Sequence, residues 1–61
     1  MDIKRARLRA GMSQEALARA VGVTRVTIAR YETGERTPNV WIASRIAEAL
    51  GCKIDDLIKE D

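Results

Sequence analysis

Apolar and small residues recur along this chain at the three- and four-residue spacing of helices, and four glycines break the recurrence. Gly11, Gly22, Gly34 and Gly51 each follow such a stretch, which predicts helices near 2–10, 14–21, 25–33, 39–50 and 54–59. The first helix repeats Ile3, Ala6 and Ala10, with Met12 closing over it. The second groups Ala16, Leu17, Ala18 and Val21 on one side. The third buries Ile28 together with Tyr31 or Glu32. The fourth carries a core stripe of Val40, Ala43, Ala47 and Leu50 with Ile46 alongside, and in the fifth Leu57 packs inward with Ile54 or Ile58. No strand alternation, internal repeat or low-complexity linker is present. The expected fold is therefore all-α, a compact five-helix domain spanning residues 1–61.

Start and stop signals sharpen three of these boundaries. Ser13 can accept from the first turn of the second helix, where Glu15 suits the helix dipole. Gly22 supplies a residue that can take positive φ and end that helix, Val23 points back to the core, and Thr24 sits where the third helix needs a cap. Thr37-Pro38-Asn39 is a start signal in which Asn39 caps the fourth helix. Asp55 and Asp56 open the last helix, but Lys53 stands where Ser would cap better, so fraying is expected there.

Residues 14–33 thus form two short helices joined by a tight turn, the second running over about 25–33. That second helix leaves Arg25, Val26, Thr27, Arg30 and Thr33 available to a partner. A short helix with Arg and Thr near its N-terminus, held by a preceding helix, has the shape and chemistry of a reader of the DNA major groove. Arg can pair bidentately with guanine O6 and N7, and Val and Thr methyls can touch a thymine methyl.

The same residues resemble a known family. MSQEALARAVGVTRVTIARYETGERTP is similar to the helix-turn-helix core of the Cro/lambda-repressor type, the XRE family. The matching positions are Gly11, Met12, Ser13, Gln14, Leu17, Ala18, Gly22, Val23, Thr24, Ile28, Tyr31, Glu32, Gly34 and Pro38. Likeness continues through IAEAL and DDLI and so covers nearly the whole chain. The resemblance implies a lambda-repressor-like fold in which Gln14 clamps a phosphate. It also implies that an Arg in the first helix bridges to a Glu at the end of the reading helix, which here are Arg7 and Glu32.

Charge supports a polyanion partner only through its distribution. The net charge is +2, but residues 1–36 hold eight Lys/Arg against four acids, whereas residues 37–61 hold three against five. The basic part coincides with the reading helix. Solvated helix surface would produce the same asymmetry. Cys52 is the single cysteine and there is no His, so neither an intrachain disulfide nor a metal site is expected. Cys52 reads as a small apolar filler at a position where the family usually has Val. No apolar stretch suits a signal peptide or membrane span, and a reducing cytoplasm is the expected compartment. At 61 residues the chain is expected to offer no room for a separate ligand-binding or oligomerisation domain.

Candidate base-reading residues are Arg25, Val26, Thr27 and Arg30. Candidate backbone contacts are Gln14 and Thr24, followed by Thr33, Arg36, Thr37 and Asn39 in the loop after the reading helix. Glu35 is expected to point away from DNA. Trp41 and Ile42 are large apolar residues off the core stripe, and Leu8 is similarly out of phase, which makes the three candidates for a dimer contact. The competing reading has Trp41 lying over its own helix or loop.

With no nucleophile–base pair, metal constellation, phosphate loop or cofactor motif, an enzyme is not expected. The leading expectation is a sequence-specific double-stranded DNA-binding regulator, a repressor because repression needs only occupancy. The resemblance implies a homodimer on half-sites about 34 Å apart. The alternative is an antitoxin-like or coactivator-like module that chiefly holds another protein.

Overall fold

In the computed structural model, which describes residues 1–58, the expected stretches are helices: α1 Ile3–Arg9, α2 Gln14–Val21, α3 Arg25–Thr33, α4 Val40–Leu50 and α5 Ile54–Ile58. Among the described residues there is no strand. The expected last position of the fifth helix, 59, lies outside them.

Each of the first four helices starts at a side-chain oxygen just outside it. Asp2 accepts from the Arg5 N–H at 3.2 Å, Ser13 from Ala16 at 3.0 Å, Thr24 from Thr27 at 3.2 Å and Asn39 from Ile42 at 2.9 Å. Such a cap is worth about 1 kcal/mol. Positions 2 and 39 are thus caps rather than first helical residues. At α5 the support comes from inside the helix, where the Asp56 carboxylate accepts from the Lys53 N–H at 3.2 Å.

Gly22 ends α2 at φ 88° and Gly34 ends α3 at φ 82°, both left-handed. The turn after α2 is closed by Gly22 and Val23 N–H groups, which both donate to Ala18 C=O, at 2.8 and 3.0 Å. Arg45, on α4, donates from Nη1 to Val21 C=O at 3.4 Å and so brings a cation to the negative end of the α2 dipole.

The core takes fully buried residues from every helix: Ile3, Leu17, Val21, Ile28, Ile46 and Leu57, with Ala18, Tyr31, Ala43 and Ala47 filling between them. Helix α2 packs mainly on α3 and α4, α5 on α4, and α1 on α3 and α4. The Asp2 N–H donates to Leu57 C=O at 2.8 Å and ties the start of α1 to α5.

Three expected core positions are corrected. Ala16 is exposed, because the buried face of α2 is Leu17, Ala18 and Val21. Ala10 is exposed beyond the end of α1, and Arg7 takes the buried position instead. Val40 is 67% exposed. The buried residues of α4 are Ala43, Ile46 and Ala47, and Val40 stands in the first turn of the helix, ahead of them. Ile42 is half-buried against the core, so its expected place off the core is corrected too. In α5, Ile54 packs inward and Ile58 faces solvent. Cys52 is half-buried against the core, and burial followed by the Asp56 charge pushes its thiol pKa up, as suits an apolar filler.

Candidate nucleic-acid interface

The turn at Gly22–Thr24 sets α3 across α2 with its inner face closed. Ile28 and Tyr31 are buried there, and Glu32 goes in with them rather than instead of Tyr31. On the outer face Arg25, Val26, Arg30 and Thr33 are exposed. Ala29, which the sequence did not single out, is half-buried on the same helix. Thr27 is less available than expected: it is half-buried, with its hydroxyl 2.9 Å from Thr24 Oγ1.

A continuous polar chain fastens α1, α2 and α3 together beneath this face. Arg7 donates from Nε to Glu32 Oε2 at 2.6 Å, from Nη2 to Oε1 at 3.3 Å, and from Nη1 to Met12 C=O at 2.9 Å. The paired side chains are only 9% and 5% exposed. Burial acts to raise the Glu32 pKa, but hydrogen bonds from Arg7 and Gln14 and the charges of Arg7 and Lys4 outweigh it and hold the carboxyl below its ordinary value. The Arg7–Glu32 pair is therefore present as the resemblance implied.

Gln14 extends the chain outward. Its Nε2 donates to Glu32 Oε1 at 3.0 Å, and its Oε1 accepts from Arg25 Nη1 at 3.3 Å. The half-buried amide is thus engaged at both ends, which the sequence did not foretell. Nothing local signals the contact, because Gln14 and Arg25 meet only once the turn has folded.

Farther along α3, Arg30 is turned toward the loop. Its Nε lies 3.5 Å from Glu35 Oε2, so the expectation that Glu35 points away is corrected. Thr33 donates its hydroxyl to Arg30 C=O at 3.2 Å, and the Arg36 N–H donates to the same oxygen at 3.2 Å. Arg36 and Thr37 are exposed, Pro38 is buried, and Asn39 is exposed with its side chain engaged as the α4 cap.

Beside this loop Trp41 is 78% exposed, which excludes the reading in which its indole lies over its own chain. Val40 joins it as an exposed apolar neighbour, and Leu8 and Ile58 are exposed elsewhere. A cleft of about 570 Å³ between α1 and the start of α5 is lined by Arg5, Arg9, Cys52 and Asp56 among others, and by no residue of α2 or α3. Among the described residues no cluster of His, Cys, Asp and Glu could hold a metal ion, and no helix is long and apolar enough to cross a membrane.

A helix-turn-helix family model matches residues 3–57 of the chain. The uncharacterized HTH-type transcriptional regulator YgzD of Bacillus subtilis is 42% identical over 55 residues, which are 90% of this chain and 83% of that protein. An uncharacterized HTH-type transcriptional regulator of Methanothermobacter thermautotrophicus is 49% identical over 49 residues, 80% of this chain and 71% of its own. Among solved structures, the P22 c2 repressor protein in complex with a synthetic operator superimposes with a TM-score of 0.88 at 36% identity, over 97% of this chain and 89% of that one. The solution structure of the P22 c2 repressor DNA-binding domain gives a TM-score of 0.89 at the same 36% identity, over 97% and 78%.

Proposed function

The chain belongs to the helix-turn-helix family of DNA-binding transcriptional regulators, and on that premise we propose that it represses transcription as a cytoplasmic homodimer on a two-fold double-stranded site. The observation that carries this reading is the uncovered outer face of α3, with Arg25, Val26, Arg30 and Thr33 exposed while the opposite face is closed by Ile28, Tyr31 and Glu32.

In this reading Arg25 and Arg30 pair with guanine edges, and the Val26 and Thr27 methyls meet thymine methyls in the major groove. Arg36 neutralises a phosphate, with Thr24, Thr33, Thr37 and Asn39 as neutral backbone contacts. Gln14 contributes through the first-turn N–H groups of α2, which suit a phosphate, while its side chain aims Arg25. Aiming matters because a guanidinium fixed before binding loses less entropy on pairing.

Trp41 with Val40 is the apolar surface proposed for the second protomer; Leu8 is a weaker candidate, and Ile42 contributes little because most of it faces the core. Their position directly after residues 36–39 would set two copies side by side on one duplex. DNA then holds both at high effective concentration, so a small contact suffices. The same exposed apolar pair favours a second reading, in which a different protein covers Trp41 and the chain acts as an antitoxin-like or coactivator-like module.

Selection from a random DNA pool separates the two. Enrichment of a two-fold symmetric site supports the repressor; recovery of no preferred sequence, with a stable hetero-complex, overturns it.

A further inference from the structure

Resting on the DNA-binding reading above, we propose that Glu35 is a specificity-determining residue, which holds Arg30 in the free protein and competes with the base edge for the same guanidinium. Arg30 is fixed at its main chain, since its carbonyl accepts from both Thr33 Oγ1 and the Arg36 N–H, each at 3.2 Å. Only its side chain is free to swing. That side chain meets Glu35, Nε to Oε2, at 3.5 Å, and the two are 52% and 69% exposed, so the pair can open without unfolding anything.

Arg25 is held differently. Its partner is the neutral amide oxygen of Gln14, which is itself anchored to the buried Glu32. The two cations on the reading face therefore present unequal charge to DNA: Arg25 an undiminished one, Arg30 one offset by an adjacent anion.

This inequality selects among ligands. A phosphate that approaches Arg30 also approaches Glu35, and repulsion from the carboxylate cancels much of the attraction. Guanine O6 and N7 are neutral acceptors spaced for the guanidinium fork, so they can displace Glu35 without that penalty. An edge that cannot accept both bonds leaves Arg30 on Glu35. The pair must open on a matched site and stays closed on a mismatched one, so the acid weakens binding to matched sites more than to mismatched ones.

The test is Glu35→Gln, which keeps shape and removes charge at an exposed position, with thermal unfolding as the check on folding. Fluorescence anisotropy is read with the duplex recovered by selection and with a duplex in which the guanine facing Arg30 is replaced, at about 0.1 M salt. Matched affinity should rise up to about fivefold, mismatched affinity less, so the matched-to-mismatched ratio rises. In an Arg30→Ala background the same change should leave the ratio where it stands. An unchanged ratio, a fall in it, or a rise that persists without Arg30 each overturns the inference. A wild-type chain that selects no sequence overturns the DNA reading and this inference with it; a wild type that selects a site while Glu35→Gln keeps its ratio overturns this inference alone.

Discussion

Replacing Glu32 with Gln probes the polar chain at its centre. The carboxylate accepts from Arg7 Nε at 2.6 Å, Arg7 Nη2 at 3.3 Å and Gln14 Nε2 at 3.0 Å. An amide offers one acceptor oxygen and one donor nitrogen. With its oxygen toward Arg7 Nε, its NH₂ meets Arg7 Nη2 and Gln14 Nε2; turned over, its NH₂ meets Arg7 Nε. Either way a donor faces a donor inside the protein, and the Arg7 charge loses its counter-ion. Removing one partner of a buried pair costs about 3–5 kcal/mol. Arg7 keeps its bond to Met12 C=O, which argues for the lower end. Whole domains of this size are stable by about 3–9 kcal/mol, so the loss is a large share of the total. The midpoint of thermal unfolding should fall by at least about 12 °C, read by far-UV circular dichroism at neutral pH.

The sign with pH follows from the same carboxyl. Its folded-state pKa lies below the ordinary 4.5 that it regains on unfolding. Its contribution is therefore fully present above 4.5 and is lost as pH falls through the folded value. The gap between wild type and Glu32→Gln should narrow in acid. Replacing Arg7 and Glu32 together with Leu should recover part of the loss, because no uncompensated charge remains. A Glu32→Gln protein melting within about 2 °C of wild type, where a 3 kcal/mol loss predicts far more, would refute the assignment of Arg7–Glu32 as the element fixing α1 to α3.

Three further substitutions test other parts. Gly22→Val forces a β-branched residue to φ 88° and should cost at least about 2 kcal/mol, with DNA binding lost in step with folding; unchanged thermal stability would contradict it. Arg25→Ala should cost about 1–3 kcal/mol at one base position of each half-site. Arg36→Ala should weaken all sequences and lower the salt slope by about 1; titrations on matched and mismatched duplexes over a salt series tell the two apart, and equal losses on both with Arg25→Ala would remove its base-reading role. Trp41→Ala should reduce cooperative binding to a full site more than binding to a half-site, with the monomer's stability unchanged because the indole is exposed; sedimentation with and without DNA would show unchanged dimerisation if Trp41 is not in the interface.

Local physics made the helices legible in the chain. Ser13, Thr24 and Asn39 each accept from the N–H three residues on, and Gly22 and Gly34 adopt left-handed φ, as neighbours in sequence dictate. Arg7–Glu32 was legible as well, but through the family resemblance, since 25 positions separate the two. The phase of α4 was not. Val40 and Ile42 are equally apolar, and which one faces inward depends on where α2 and α5 lie against that helix. The engagement of Gln14 by Arg25 and of Arg30 by Glu35 was likewise decided only in three dimensions. Long polar side chains have many rotamers, and the one adopted is set by whichever charge or acceptor the folded backbone brings within reach. Periodicity and caps therefore determined which segment would read and what would hold it. The tertiary structure decided how Arg25 and Arg30 are held.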